Sequence, residues 1–263
     1  MRPIMHRRTL GVLAFSALAL FAALDWDATA SERAGGGEVW QAGLVQRLDE
    51  PWRSWALRVA RAPQLCLTGR AEVFPCRREF YLWLLDHPDW GYRLWEQLGA
   101  RGARVQATGS GGFTGEDEQG NHLRWWAVHR EPGLRLWYAE ASGRGKWLAQ
   151  PAQVRALVLL EYRGVRSPEG QPGIRHQAEL AAQVDSRGWN LILRLGQHAA
   201  EDFARQCLDQ VQLFFAGMAW YMTEHPDWTQ QQIRKLVRER PDHGRPGEEL
   251  LRLLVAAHPT ESP

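Results

Sequence analysis

Lysine is almost missing from this chain. Lys146 and Lys235 are its two lysines among 32 cationic side chains. Arginine carries the rest of the positive charge, and 30 acidic residues leave a formal net charge of +2. A chain this close to neutrality has no bulk electrostatic pull toward nucleic acid or anionic membrane. Cysteine is scarce as well, and its three residues form neither a CxxC nor a CxxCH unit, which excludes a redox dithiol motif and a c-type haem attachment site. No GxSxG, HExxH, Walker loop or GxGxxG occurs. Gly109-Ser110-Gly111-Gly112 is glycine-rich but leads into no helix, so it reads as a turn or bulge. The sequence therefore implies no cofactor and no metal site.

No apolar run is long enough to span a bilayer, which takes about 20 residues. Leu10 to Leu24 (LGVLAFSALALFAAL) comes nearest, and it reads as something else. Arg2, Arg7 and Arg8 precede it, Asp25 and Asp27 follow it, and Ala28-Thr29-Ala30 supplies small residues for cleavage. That is the pattern of a signal peptide cut near Ala30/Ser31, giving a periplasmic or secreted protein with no stable membrane span after cleavage. Arg7-Arg8-Thr9-Leu10 also resembles a twin-arginine signal, so the general and twin-arginine routes both stay open. In an oxidising compartment Cys66 and Cys76, within LCLTGRAEVFPC, are expected to form a disulfide worth roughly 2–3 kcal/mol. The alternative is a pair of buried thiols. Cys207 reads as a small core residue.

The mature chain changes its period along its length. Glu38 to Arg61 shows apolar spacings of three and four, which predict two short helices broken near Pro51. Arg77 to Gly99 predicts a helix, a break at His87-Pro88 and a second helix. From Arg104 to Tyr162 the period becomes two. Strands are expected at Arg104 to Thr108, Gly112 to Gly115, His122 to Arg130, Leu134 to Ala141 and Ala152 to Tyr162. The two-residue turn Pro132-Gly133 pairs Glu131 with Leu134. Extended without interruption, that register sets His129 opposite Leu136, Ala127 opposite Tyr138 and Trp125 opposite Glu140, with Trp126, Val128 and Trp137 on the other face. Both faces are apolar enough to be covered. Gly164 to Gly173 reads as a loop, and Ile174 to Asp185 fits either a helix or a last strand. Leu191, Leu195, Ala199, Phe203, Cys207, Val211, Phe214, Met218 and Met222 recur every three or four residues and predict one long helix from Trp189 to Met222. Short helices at Thr229 to Arg240 and Glu248 to Ala257 finish the chain.

Segregated strands and helices define an α+β class. The expected organisation is a signal peptide at 1–30, a helical N-terminal extension at 31–100, an α+β domain at 101–225 and short helices with a tail at 226–263. An antiparallel meander followed by one long apolar-faced helix resembles the START/SRPBCC (helix-grip) superfamily. The segments carrying the resemblance are GFTGEDEQGNHLRWWAV, LRLWYAEA and VRALVLLEY within Arg104 to Met222. It implies an antiparallel sheet packed on the long C-terminal helix, with a cavity between them for a lipid-like, apolar or amphipathic small molecule. Trp125, His129, Tyr138 and Glu140 from the hairpin, with Phe203, Phe214 and Met218 from the helix, are the expected ligand-binding residues.

Two other functional readings come from single motifs. His129 and Glu140, expected on one sheet face, could do acid–base work in an exported enzyme, although no nucleophile stands with them. Asp86-His87-Pro88-Asp89-Trp90 repeats as Glu224-His225-Pro226-Asp227-Trp228. Two His-x-Asp units could meet around a metal, but the plainer reading is helix punctuation. Proline fits a first helical turn, aspartate complements the helix dipole, and tryptophan anchors the new helix. The abundance of tryptophan, 14 residues in all, also suits a cell-envelope protein that docks a partner through its helices.

Overall fold

The computed structural model describes residues 40–100, 103–118, 120–143, 152–185, 197–239 and 244–257. The signal peptide expected at 1–30 and the first part of the long apolar stripe, Trp189 to Leu195, lie outside the described residues.

The strands are β1 (Leu65–Thr68), β2 (Glu72–Pro75), β3 (Ala103–Ala107), β4 (Gly112–Asp117), β5 (His122–Glu131), β6 (Leu134–Gly143), β7 (Ala152–Arg166) and β8 (Pro172–Val184). They form one antiparallel sheet in the order β1-β8-β7-β6-β5-β4-β3, with β2 continuing along β8 beyond β1. Six consecutive strands thus make a meander, and the first short strands close onto its last member. Its turns follow local chemistry. Gly133 adopts φ 87°, open to glycine at little cost, and an added Cβ there would meet the Tyr162 carbonyl oxygen at 3.1 Å. Ile174 to Asp185 resolves as strand because β8 is the central partner, pairing with β7 on one side and with β1 and β2 on the other.

Seven helices occur among the described residues: α1 (Ala42–Val45), α2 (Trp52–Arg61), α3 (Arg78–Asp86), α4 (Pro88–Gln97), α5 (Gln197–Glu224), α6 (Pro226–Glu239) and α7 (Arg245–Ala257). Their placement gives the sheet two unlike faces. α1 and α2 cover part of the outer face, where Leu44, Val45, Leu48, Ala56 and Val59 pack on Leu136, Tyr138, Leu157, Leu159 and Ala181. The remaining helices lie on the helix-side face, over Trp137, Leu160, Tyr162, Ile174, Ala178 and Ala182. β7 shows why both faces are apolar: Val154, Ala156, Val158, Leu160 and Tyr162 serve one core and Leu157 and Leu159 the other. Alternation with period two separates these sets.

The expected helix starts are present. Pro88 and Pro226 begin α4 and α6, Asp89 and Asp227 lie in the first turns, and Trp90 is buried while Trp228 packs on Tyr221 at 5.0 Å.

Three expectations need correction. First, 31–100 is not purely helical, because the stretch around Cys66 and Cys76 forms β1 and β2. Second, Cys66 and Cys76 are free thiols. Cys66 pairs with Ala181 on β8, whereas the Cys76 amide donates to the Pro172 carbonyl, nine residues further along the same strand. Nine strand residues span about 30 Å, far beyond the reach of a disulfide, whose Cα atoms stand within about 7 Å. Third, the β5–β6 register slips at a bulge between Ala127 and His129. His129 still faces Leu136, but Trp126 stands opposite Tyr138, Trp125 opposite Ala139 and Arg124 opposite Glu140. One extra residue transfers every side chain beyond it to the other face.

Candidate functional site

The bulge decides where the expected ligand residues go. Tyr138, His129 and Glu140 belong to the outer face. Tyr138 is buried beneath Trp52 and Trp55, at 6.0 and 5.7 Å between rings, and its hydroxyl donates to Glu140 Oε1 at 3.2 Å. Burial and the Glu140 charge push the Tyr138 pKa up to about 12. Glu140 Oε2 accepts from Arg124 at 2.7 Å. His129 Nε2 lies 2.7 Å from Glu131 Oε1, so its partner is a neighbour on the same strand, not Glu140. Acid–base work by a His129–Glu140 pair loses its geometric basis.

Trp125, Phe203, Phe214 and Met218 belong to the helix side. Trp125 stacks on Phe113 at 5.3 Å, and Phe214 packs on Trp95 at 5.5 Å and on Phe215 at 5.1 Å. Phe215 in turn lies parallel to Trp137 at 5.6 Å and 3°. Met218 is buried. The side of α5 turned to the core runs through Ala204, Leu208, Gln212, Phe215, Ala219 and Met222; of the stripe read in the sequence, Met218 and Met222 are buried, whereas Phe203, Cys207, Val211 and Phe214 lie one residue round from it. Small residues let the helix approach closely, while bulky Phe203 and Phe214 sit half-exposed at its flank.

This face is unevenly filled. α5 packs chiefly against β1, β2, β8 and α3. Further along the sheet, Trp125, Ala127, Ala139, Ala141, Val154 and Ala156 point to the same side and stay half-exposed. A strip of apolar side chains on strands β5 to β7 therefore borders the packed core without being sealed by the described helices.

A second arrangement was not visible in the sequence. His176, on β8, is fully buried. Its Nε2 lies 3.2 Å from Glu72 Oε2 on β2, and its Nδ1 lies 2.7 Å from the Tyr81 hydroxyl on α3. The Glu72 carboxylate can only accept, so Nε2 donates to it and Nδ1 accepts from Tyr81. Burial lowers the His176 pKa to about 4, raises the Tyr81 pKa well above 10 and raises that of Glu72. The connectivity is that of a nucleophile relay, yet Tyr81 is 0% exposed and held neutral. Its hydroxyl meets no substrate here; the chain fastens β2, β8 and α3 together. Beside it Arg135 Nη1 donates to the Tyr162 hydroxyl at 3.0 Å, and Arg135 and Arg130 flank Asp86 at 3.6 and 3.4 Å.

The two His-x-Asp units have separate partners. His87 stands 3.7 Å from Glu249, and His225 lies over Tyr221 at 4.4 Å. No group of three His, Cys, Asp or Glu side chains suited to a metal occurs among the described residues. No helix among them is long and apolar enough to cross a membrane.

No protein-family model matches the chain, and no curated protein matches it. Solved structures do. A conserved protein from Geobacillus kaustophilus is 12% identical over 61% of this chain and 97% of its own, with a TM-score of 0.43. The hypothetical protein jhp0584 from Helicobacter pylori is 8% identical over 73% and 99%, with a TM-score of 0.36. Likeness at this level carries no function across. What the chain's own structure defines is an α+β protein with an open antiparallel sheet and a long C-terminal helix.

Proposed function

We propose that this chain is a helix-grip protein of the START/SRPBCC type that binds an apolar or amphipathic small molecule on the helix side of its sheet, without catalysis. The supporting observation is the half-exposed apolar strip of Trp125, Ala127, Ala139, Ala141, Val154 and Ala156. Monomeric proteins seldom leave contiguous apolar surface open without a use. The element order supports the fold assignment: an antiparallel meander, then a long helix laid across one face. Of the expected ligand residues, Trp125, Phe203 and Phe214 keep this role. Met218 serves as core, and Tyr138, His129 and Glu140 fall on the far face. Export to the periplasm or medium belongs to the same proposal, and it rests on the leader sequence.

The test is a fluorescence titration of the chain with N-phenyl-1-naphthylamine, a neutral apolar probe, alongside an Ala139→Trp variant. Ala139 lies opposite Trp125 in the middle of the strip, so an indole there fills it. Saturable binding to the wild type, weakened at least about tenfold in the variant, is expected from the loss of a buried aromatic contact. Equal binding by both proteins refutes the location, and no binding by the wild type refutes the function.

A further inference from the structure

The outer face carries a second recess, on the opposite side of the sheet from the apolar strip. α1 and α2 pack on the Leu136–Leu159 and Tyr138–Leu157 rows, and the polar rows follow further along the same strands. Beyond them the register aligns two rows of polar side chains across five strands. One row is Gln106, Thr114, Arg124, Glu140 and Arg155; the next is Arg104, Glu116, His122, Ser142 and Gln153. All ten line one open groove of about 750 Å³. Four strand spacings make it roughly 19 Å long.

The charges in this groove are not balanced pair by pair. Glu140 stands between Arg124 and Arg155, its cross-strand neighbours on either side. Both of its oxygens are engaged, Oε2 by Arg124 at 2.7 Å and Oε1 by the Tyr138 hydroxyl. Arg124 is further fixed over the Trp126 ring at 5.8 Å. Arg155 is left without an ion pair among the described residues, while Arg104, at the other end, stands opposite Glu116 on β4. Three guanidinium groups therefore face two carboxylates, one of them already committed. His122, Ser142, Gln153, Gln106 and Thr114 offer neutral hydrogen-bonding groups between them. A concave surface focuses such an excess of positive charge, and arginine forks fit carboxylate and phosphate oxygens two at a time.

We infer that this groove binds a small polyanion, a polycarboxylate or a phosphorylated molecule, with Arg155 as its principal anchor. The ligand reads the Arg155 guanidinium as a two-pronged donor and the polar side chains beside it as hydrogen-bond partners. Glu140 acts as a competitor that keeps Arg124 occupied.

Isothermal titration calorimetry of the full chain with citrate and with pyrophosphate tests this, and the stronger of the two identifies the anion class. Saturable binding of one probe is expected. Arg155→Gln weakens it about three- to tenfold, the span between an exposed ion pair and a charge-assisted hydrogen bond. Glu140→Gln frees Arg124 and tightens it. Arg163→Gln, on the same face of β7 but outside the groove, leaves it unchanged. Absence of saturable binding by both probes overturns the inference. So does an Arg163→Gln effect equal to that of Arg155→Gln, which marks general surface charge.

Discussion

Acid should loosen this protein through His176. Its ring is fully buried between Tyr81 of α3 and Glu72 of β2, with Phe74 edge-on at 5.0 Å. Burial lowers its pKa from 6.5 to about 4. The folded state thus holds the neutral ring, while the unfolded chain takes up a proton as soon as the pH falls below 6.5. The stability from this group is complete above pH 6.5 and declines as the pH falls toward 4. Below 4 both states are protonated and the loss is complete. At 1.36 kcal/mol per pH unit, the interval from 6.5 to about 4 amounts to about 3 kcal/mol. Glu72, with Asp209 of α5 near it, has the opposite sign, because its raised pKa favours the folded state as the pH falls.

Urea unfolding followed by tryptophan fluorescence at pH 7 and pH 4 measures the loss. Comparison with His176→Gln isolates it, because glutamine removes the titrating group and leaves Glu72 and Asp209 in place. The wild type is expected to lose about 3 kcal/mol more than the variant between the two pH values. The same pH dependence in both proteins would refute the buried neutral histidine. A larger loss in the variant would refute it as well, since Glu72 on its own favours the folded state as the pH falls.

Two further predictions concern the thiols and the long helix. Ellman's reagent at pH 8 should label Cys66 quickly in the native chain, and Cys76 and Cys207, whose thiols burial pushes up to about 12, only after unfolding. Recovery of a single thiol after denaturation without reductant would restore the Cys66–Cys76 bridge and refute the strand geometry. Gln212→Ala should destabilise the chain by about 2–4 kcal/mol, because Gln212 accepts from the Ala178 amide at 3.3 Å and donates to the Arg70 carbonyl at 2.7 Å from a buried position. A loss under about 1 kcal/mol in chemical denaturation would show that water replaces both bonds.

Much of the architecture was legible because single residues announce it. Proline and aspartate mark where α4 and α6 begin, Pro132-Gly133 marks the hairpin turn, and alternation along Val154 to Tyr162 marks a strand. Other parts left no such mark. β1 and β2 are four residues each, too short for a period to stand out, and they become strands because β8 offers them an open edge. α5 is apolar over a broad arc, so its bulkiest residues mark the buried stripe at Met218 and Met222 but miss it by one position from Phe203 to Phe214. The core took Ala204, Ala216 and Ala219 where the helix comes close, and a buried glutamine where the break between β1 and β2 needed partners. His176 and Tyr81 lie 95 residues apart. Nothing in either local sequence says that they touch.

The site turned on one residue that no pattern marks. A hairpin read outward from its turn is correct from Glu131 to His129, and Val128 then adds a residue that β6 does not match. Without it, Trp125 would lie on Tyr138's side, and one apolar-and-acidic face would hold all four expected hairpin residues. With it, Trp126 takes the place beside Tyr138 and closes onto Trp52 at 5.3 Å, while Trp125 turns to the helix side. The polar residues Arg124 and Glu140 then stay together on the outer face, where a charged groove can form. The bulge therefore does more than spoil a register. It sorts one mixed set of side chains into an apolar strip and a polar recess, and each of the two binding proposals depends on that separation.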